Sequence, residues 1–348
     1  MGVGSDAIGR LSMAEELFTP AEPTVEDCWR GVVLFGRNTA SYKFALGSAL
    51  LDLKPKSGEL VKLDDLAPVY AQLLAEHLRT APKQITTGNG KFLQGCVAFN
   101  KDNDLSKLVD TTVAHGFAHV IDAFHIVGST PVHHPFFVDE RKDNRGIRIT
   151  DEFSQMMAGV QASNLAAEIT ARWNLVETAW NHGISANLLT INHDNERREF
   201  FAIDSSQRRR PVTSSRSALN GYQKGHCFYC STPLLLDGPT RNVDVDHFFP
   251  HRLKQAHWGV NLDGVWNLVL ACETCNRGQD GKSDSIPSRR LLERLHKRNE
   301  YLIGSHHPLR ETLMQQTGMR QEERAAFLSD LYQKVNLSPG HEWEPKSI

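Results

Sequence analysis

Four of the six cysteines form two C-x-x-C pairs, Cys227 with Cys230 and Cys272 with Cys275, separated by 41 residues. In a reducing compartment thiols stay free, and two such pairs can supply the four thiolates of a tetrahedral structural zinc site. One pair alone would also suit thiol redox chemistry, but two pairs flanking one segment favour zinc. The spacing therefore predicts a Zn(Cys)4 site, with the neighbouring His226 as the alternative to one thiolate.

The segment between the cysteine pairs contains residues suited to phosphodiester hydrolysis. Asp246 and His247 end an alternating, strand-like run, and Asn276 directly follows the last cysteine. Aspartate and asparagine offer the hard oxygen ligands that Mg²⁺ or Mn²⁺ prefers, and histidine can take a proton from an attacking water at neutral pH. We predict Asp246 and Asn276 as ligands of a catalytic ion and His247 as the base. His251 and His257 are either a third ligand or part of a polar loop.

The order C-x-x-C, D-H, N, C-x-x-C-N over residues 225–286 resembles the HNH endonuclease family. The form D-V-D-H…N…N-R-G…K-S-D is also similar to the HNH domain of RNA-guided CRISPR nucleases. The resemblance implies a zinc-stabilised ββα-metal finger of treble-clef-like form, with a helix that begins near Cys275 and carries Asn276. It also implies that Asn267 holds the loop that carries His247.

The finger implied by this resemblance also places two cations for contact with phosphates, Arg277 and Lys282. The chain departs from compact relatives here, because residues 279–281 separate N-R-G from K-S-D. The implied activity is a metal-dependent endonuclease acting on double-stranded DNA, in bacterial antiphage defence, restriction or mobile-element biology. Two alternatives stay open: a non-catalytic zinc finger that binds nucleic acid, and an RNA-directed or toxin-like nuclease.

The charge distribution agrees with a nucleic-acid partner. Residues 205–300 contain 15 Lys and Arg against 9 Asp and Glu, a net charge of +6, while the rest of the chain stands at −8. A basic region in a nearly neutral chain is typical of a protein that meets a polyanion.

The hydrophobic patterning predicts an α+β chain in two parts. Residues 1–204 form a mainly helical recognition or regulatory domain that can also bind a protein partner or form a dimer. It contains helices along residues 63–78 and from near Thr150 to Gly183, then a hairpin of residues 188–191 and 199–203. Residues 205–215 are predicted to be a basic linker, and residues 216–348 an HNH module with trailing helices.

The trailing helices have recognisable starts. Ser288 can cap a basic helix whose apolar side carries Leu291, Leu292, Leu295 and Leu302. Two more helices are predicted, one after Pro308 and one over residues 321–334.

Composition places the chain among globular proteins, with 40% hydrophobic and 23% charged residues. The sequence has no apolar run long enough for a membrane helix, and the first residues lack the profile of a secretory signal. We therefore predict a cytoplasmic protein without a membrane partner, in which Cys28 and Cys96 are ordinary buried thiols.

Overall fold

The computed structural model describes residues 23–35, 40–86, 90–181, 191–194, 196–203, 209–237, 242–256, 259–304, 308–336 and 342–346. Helices and short antiparallel sheets are both present, so the predicted α+β class is confirmed. The chain divides into two compact units, one spanning Pro23–Ser185 and the other lying within Ala186–Ile348.

Helices make up most of the first unit. In its described part they are α1 (Val25–Arg30), α2 (Tyr42–Leu53), α3 (Leu63–Thr80), α4 (Lys91–Asp102), α5 (Leu105–His115), α6 (Ala118–Ala123), α7 (Arg141–Asn144), α8 (Asp151–Ala158) and α9 (Ala162–Asn181). A π-helical turn, Gly31–Phe35, follows α1. The strands are β1 (Leu60–Lys62), β2 (Ile126–Val127), β3 (Thr130–Pro131), β4 (Phe137–Glu140) and β5 (Gly146–Ile149). Strands β1, β5 and β4 form one antiparallel sheet in that order, and β2 pairs with β3.

The core of the first unit is built around Trp29, which is 1% exposed. The rings of Phe124 and Phe136 meet it edge-on, with centroids 5.9 and 5.0 Å away. Beside it, the buried guanidinium of Arg30 pairs with Glu168 at 2.9 Å. Cys28 and Cys96 are both buried and free, as predicted.

Two helices of this unit differ in detail from the predicted ones. Pro68 is the sixth residue of α3, beyond the first turn in which proline costs no hydrogen bond; the helix continues because Leu66, Tyr70 and Leu74 are buried along one side. The helix predicted from Thr150 is interrupted at Gly159, whose backbone is extended. A Cβ there would lie 2.7 Å from a carboxylate oxygen of Glu26.

The second unit combines two small sheets with helices. Its described strands are β6 (Ile191–Asp194), β7 (Glu199–Ile203), β8 (Arg209–Ser214), β9 (Val243–His247) and β10 (Leu268–Cys272). Its helices are α10 (Ser215–Asn220), α11 (Glu273–Arg277), α12 (Arg289–Gly304), α13 (Pro308–Thr317) and α14 (Gln321–Val335). Short 3-10 turns occupy Gly221–Gln223, His251–Ala256 and Val265–Asn267. One sheet has the order β6-β7-β8, and the other is the antiparallel pair of β9 and β10.

The predicted linker is structured over its described part. Arg209–Ser214 is strand β8, which pairs antiparallel with β7, and α10 begins at Ser215. This pairing adds a third strand to the hairpin of β6 and β7, and the sheet belongs with the second unit. Strand β6 includes residues 192–194, which were predicted as the turn of that hairpin. The two units therefore divide about twenty residues before the predicted boundary, while residues 204–208 lie outside the described part. Gly183 and residues 188–190 also lie outside it.

The trailing helices follow the predictions closely. The Ser288 hydroxyl accepts from the N–H of Leu291 at 3.4 Å at the start of α12, and Leu291, Leu292, Leu295 and Leu302 are all buried. Helices α13 and α14 begin at Pro308 and Gln321. Among the described residues, none of the helices combines the length and the apolar character needed to cross a bilayer.

Candidate functional site

The four cysteines predicted as zinc ligands come together. The Sγ atoms of Cys227, Cys230, Cys272 and Cys275 all lie within 4.8 Å of one another. Cys272 ends β10 and Cys275 lies in the first turn of α11, so a strand-to-helix junction presents both thiols to the first pair. The N–H of Cys272 donates to Sγ of Cys227 at 3.3 Å, and the N–H of Cys275 donates to Sγ of Cys272 at 3.5 Å, so backbone donors face the thiols. This group can hold a metal ion such as zinc.

A buried arginine that the sequence did not single out lies beside this thiol cluster. Arg294 of α12 donates to the carbonyl of Tyr229 at 3.3 Å and to the hydroxyl of Ser231 at 2.9 Å. Burial lowers the pKa of Arg294 to about 10, and the adjacent Cys227 opposes that shift. A cation here offsets part of the negative charge of four thiolates.

Strands β9 and β10 and helix α11 follow one another as strand, strand and helix. The register places His247 opposite Leu268 and Asp246 opposite Val269. Because side chains alternate along a strand, Asp244 and Asp246 share one face of β9 and His247 lies on the other. The predicted metal ligand and the predicted base are therefore on different faces of the same strand.

The Asp246 carboxylate is held by two buried donors. The hydroxyl of Tyr229 donates to Oδ2 at 2.6 Å, and Nζ of Lys282 lies 3.1 Å from Oδ2 and 3.3 Å from Oδ1. Burial lowers the pKa of Lys282, and the charge of Asp246 opposes that shift.

This arrangement corrects the prediction that Lys282 contacts phosphates, since its side chain is 0% exposed. The N–H of Lys282 bonds the carbonyl of Cys275 at 2.7 Å and its Nζ pairs with the buried Asp246, so the charge is used inside the unit.

The side chain of Asn276 lies beside Asp244 rather than Asp246. Its Nδ2 donates to Oδ2 of Asp244 at 3.2 Å, and Nε of Arg277 donates to the same oxygen at 2.9 Å. Asp244 was missed as a site residue, although the alternation D-V-D already placed it on the same face as Asp246. Arg277 stays at the surface, with 62% of its side chain exposed, and also pairs with Glu273.

Asn267 joins the loop after β9 to the loop before β10. It is fully buried; its Oδ1 accepts from the N–H of Phe249 at 2.8 Å, and its Nδ2 donates to the carbonyls of Phe249 and Leu262 at 3.0 and 2.8 Å. The carbonyl of Asn267 also accepts from the N–H of Phe248 at 2.8 Å. This geometry matches the loop-holding role that the HNH resemblance implies.

The side chain of His247 contacts a carboxylate that is distant in sequence. Its Nε2 lies 3.0 Å from Oδ1 of Asp263, and 13% of the side chain is exposed. The Nζ of Lys254 pairs with the other oxygen of Asp263 and lies 2.7 Å from Nε2 of His251. The rings of His251 and His193 have their centroids 5.7 and 6.2 Å from that of His247. Neither Asp263 nor Lys254 carried a recognisable sequence signal.

The turn that follows β9 contacts the segment that carries Lys282. The turn that contains His251 bonds the K-S-D segment, where Nε of Arg252 donates to the carbonyl of Asp284 at 2.9 Å. The charges of Arg252 and Asp284 both influence the pKa of Lys282, and Asp284 also acts on His251. The turn that follows His247 and the segment that carries Lys282, the partner of Asp246, are therefore in contact. His257 lies outside the described residues.

The surface is less basic than the sequence count suggests. Among the residues whose burial is described, four of the cations counted between residues 205 and 300 are buried, namely Lys224, Lys282, Arg294 and Arg298. Arg298, for example, donates to the carbonyls of Leu268 and Trp266 at 2.7 and 3.2 Å, so it stabilises the fold. The exposed cations of the described part include Arg252, Arg277, Arg289, Arg290 and Lys297.

Comparisons of this chain with protein-family models, curated proteins and solved structures found no match. A functional assignment therefore depends on the motif and on the geometry of its side chains.

Proposed function

We propose that the second unit is a metal-dependent endonuclease of HNH type that hydrolyses phosphodiester bonds in double-stranded DNA. The observation that carries the proposal is the end of β9, where an imidazole with a carboxylate partner adjoins a face of oxygen donors. His247 and Asp263 form the first group, and Asp244, Asp246 and Asn276 form the second.

His247 is the base in this proposal. Its Nε2 contacts Asp263, and Nδ1 has no hydrogen-bond partner among the described residues. A ring nitrogen with a free lone pair can take a proton from a water that attacks phosphorus. The side chain of His247 is 13% exposed, so the ring is partly accessible to solvent.

The two implied metal ions have separate donor sets. Four thiolates suit Zn²⁺, so the cysteine cluster would hold a structural zinc that joins β10 and α11 to the turn of Cys227 and Cys230. The carboxylate and amide oxygens suit Mg²⁺ or Mn²⁺, which would be held by Asp246 and Asn276, with Asp244 added to the predicted set. Bound there, the ion would supply positive charge to the phosphate in the transition state.

Exposed cations near this site support a polyanionic substrate. Arg277 extends from α11 next to Asn276, and Arg252 lies on the turn beside His251. In this proposal both guanidinium groups contact phosphates of the substrate.

One observation favours a second function, a zinc finger that binds nucleic acid without cutting it. The Asp246 carboxylate already has Tyr229 and Lys282 as partners, which is the pattern of a structural ion pair. If this pair were purely structural, the exposed arginines would still bind phosphates, but no ion would activate cleavage.

Incubation of the full chain with supercoiled plasmid tests both functions. The endonuclease predicts nicked circles with Mg²⁺ or Mn²⁺, none with EDTA, and none with His247→Ala. Binding without nicking by the parent protein would favour the second function. A parallel incubation with structured RNA identifies an RNA-directed enzyme, since that alternative predicts cleavage of RNA and not of the plasmid.

A further inference from the structure

We infer that Asp263 is a positioning residue that holds the ring of His247 in one tautomer, with Nδ1 left to act on water. The inference rests on the proposed function, since it assigns a partner to the base of that reaction. It is based on a chain of contacts in which Lys254, Asp263 and His247 follow one another.

The contact between Asp263 and His247 determines where the ring hydrogen lies. An ionised carboxylate has no hydrogen to donate, so at a separation of 3.0 Å the hydrogen must be on Nε2 of His247. A neutral ring that is protonated at Nε2 has its lone pair on Nδ1. Asp263 therefore selects the tautomer in which Nδ1 is an acceptor.

Lys254 forms an ion pair with Asp263 on the side away from His247. Its Nζ contacts the carboxylate oxygen that His247 does not use, and both side chains are 30% exposed. The same Nζ lies 2.7 Å from Nε2 of His251 and donates to it. Burial and then the charge of Lys254 lower the pKa of His251, which keeps this second imidazole neutral and able to accept.

The backbone on both sides of this contact is fixed by one residue. Asn267 bonds the main chain of Phe249, two residues after His247, and the carbonyl of Leu262, next to Asp263. In addition, the N–H of Asp263 bonds Oδ1 of Asn261 at 3.0 Å. The separation between Asp263 and His247 is thus set by buried bonds rather than by two mobile loops.

Asp263→Asn is the informative variant, because it keeps the shape of the side chain but its amide can donate as well as accept. It therefore admits the wrong tautomer of His247. The control is Asp280→Asn, which changes a more exposed carboxylate that is also paired with a lysine, Lys346, at 2.6 Å. Each full-length variant is compared with the parent in plasmid cleavage at one fixed pH, in DNA affinity, and in ¹⁵N spectra of histidine-labelled protein, where His247→Ala assigns the ring signals.

We expect Asp263→Asn to lower kcat by about 100-fold or more, the scale of general-base catalysis, with KM and DNA affinity within about twofold of the parent. The parent spectrum should show Nε2 of His247 protonated and Nδ1 unprotonated, and Asp263→Asn should add the other tautomer. Asp280→Asn should match the parent in all three measurements. The double variant with His247→Ala should cut no more slowly than His247→Ala alone, because both changes act through one ring.

Two results would overturn the inference: cleavage by Asp263→Asn at the parent rate, or a parent spectrum with the hydrogen on Nδ1. A parent protein that cuts neither DNA nor RNA would defeat the proposed function instead. The spectra would still decide whether Asp263 selects the tautomer of His247.

Discussion

The hydroxyl of Tyr229 donates to the carboxylate of Asp246 at 2.6 Å. Tyr229 lies between Cys227 and Cys230, so this bond connects the thiol cluster directly to the strand that ends in His247. The thiol cluster and the strand that carries Asp246 and His247 are thus joined by a hydrogen bond.

Tyr229→Phe tests that connection. The change leaves one oxygen of a buried carboxylate without its donor, which should lower the free energy of unfolding by about 1–3 kcal/mol and reduce cleavage, while zinc content stays the same. Urea unfolding and plasmid nicking measure the two effects. Tyr332→Phe is the control, because its hydroxyl bonds the carbonyl of Pro287 at 2.9 Å, away from Asp246. It should lose stability but keep full activity; equal activity in both variants would contradict a role for Tyr229 in the site.

Cys272→Ser should abolish metal binding by the thiol cluster and destabilise the β9–β10 module, because the ion would join β10 and α11 to the turn of Cys227 and Cys230. Metal analysis of the parent should find about one zinc per chain. Cys96→Ala removes a buried thiol from the first unit and should leave the zinc content unchanged. Parent protein that is folded and free of zinc would show that the four cysteines serve another purpose.

Lys282→Met should destabilise the second unit by about 3–5 kcal/mol, because it leaves the Asp246 carboxylate buried without its cation. Adding Asp246→Asn should recover most of that loss, since the two groups are removed together. Chemical denaturation of both variants gives the comparison. If Lys282→Met instead kept full stability and weakened DNA binding, the lysine would be a surface phosphate contact after all.

Arg277→Met should weaken DNA binding and reduce the slope of its salt dependence by about 1, since one phosphate contact is lost. The thermal melting temperature should hardly move, because the side chain is mostly exposed. Arg320→Met is matched to it as an exposed arginine paired with a glutamate one turn away, Glu323. A change in salt slope of equal size in both variants would indicate a general charge effect.

Asp244→Asn and Asn276→Ala should each weaken Mn²⁺ binding by about tenfold or more, because they remove neighbouring oxygen donors from one face of β9. His247→Ala should keep Mn²⁺ and zinc binding while cleavage falls by about 100-fold or more. Titration calorimetry on each variant separates the two behaviours, with Asp330→Asn, an exposed acid on α14, as the unchanged control. If Asp244→Asn bound Mn²⁺ as tightly as the parent, Asp244 would not be a ligand, and the ligand set would return to the predicted Asp246 and Asn276.

The sequence by itself determined the local features of this protein. The two C-x-x-C pairs predicted a four-thiol cluster, because each pair supplies two ligands from one turn. Apolar periodicity predicted α3, α12 and α14, since a helical stripe must be buried. Alternation predicted strand β9, and the residue pattern predicted strand β7, whereas β6 covers three residues that were predicted as the turn of the hairpin.

Only the tertiary structure decided which polar groups meet, because those partners come from segments far apart in the chain. Asp263 reaches His247 across 16 residues, and Lys282 reaches Asp246 across 36. The same holds for the predicted linker, since Arg209–Ser214 is polar and basic when considered alone but becomes a strand once β7 provides backbone partners. Local composition reports what a segment prefers in isolation, whereas burial of Lys282 and pairing of β8 depend on what the rest of the chain places beside them.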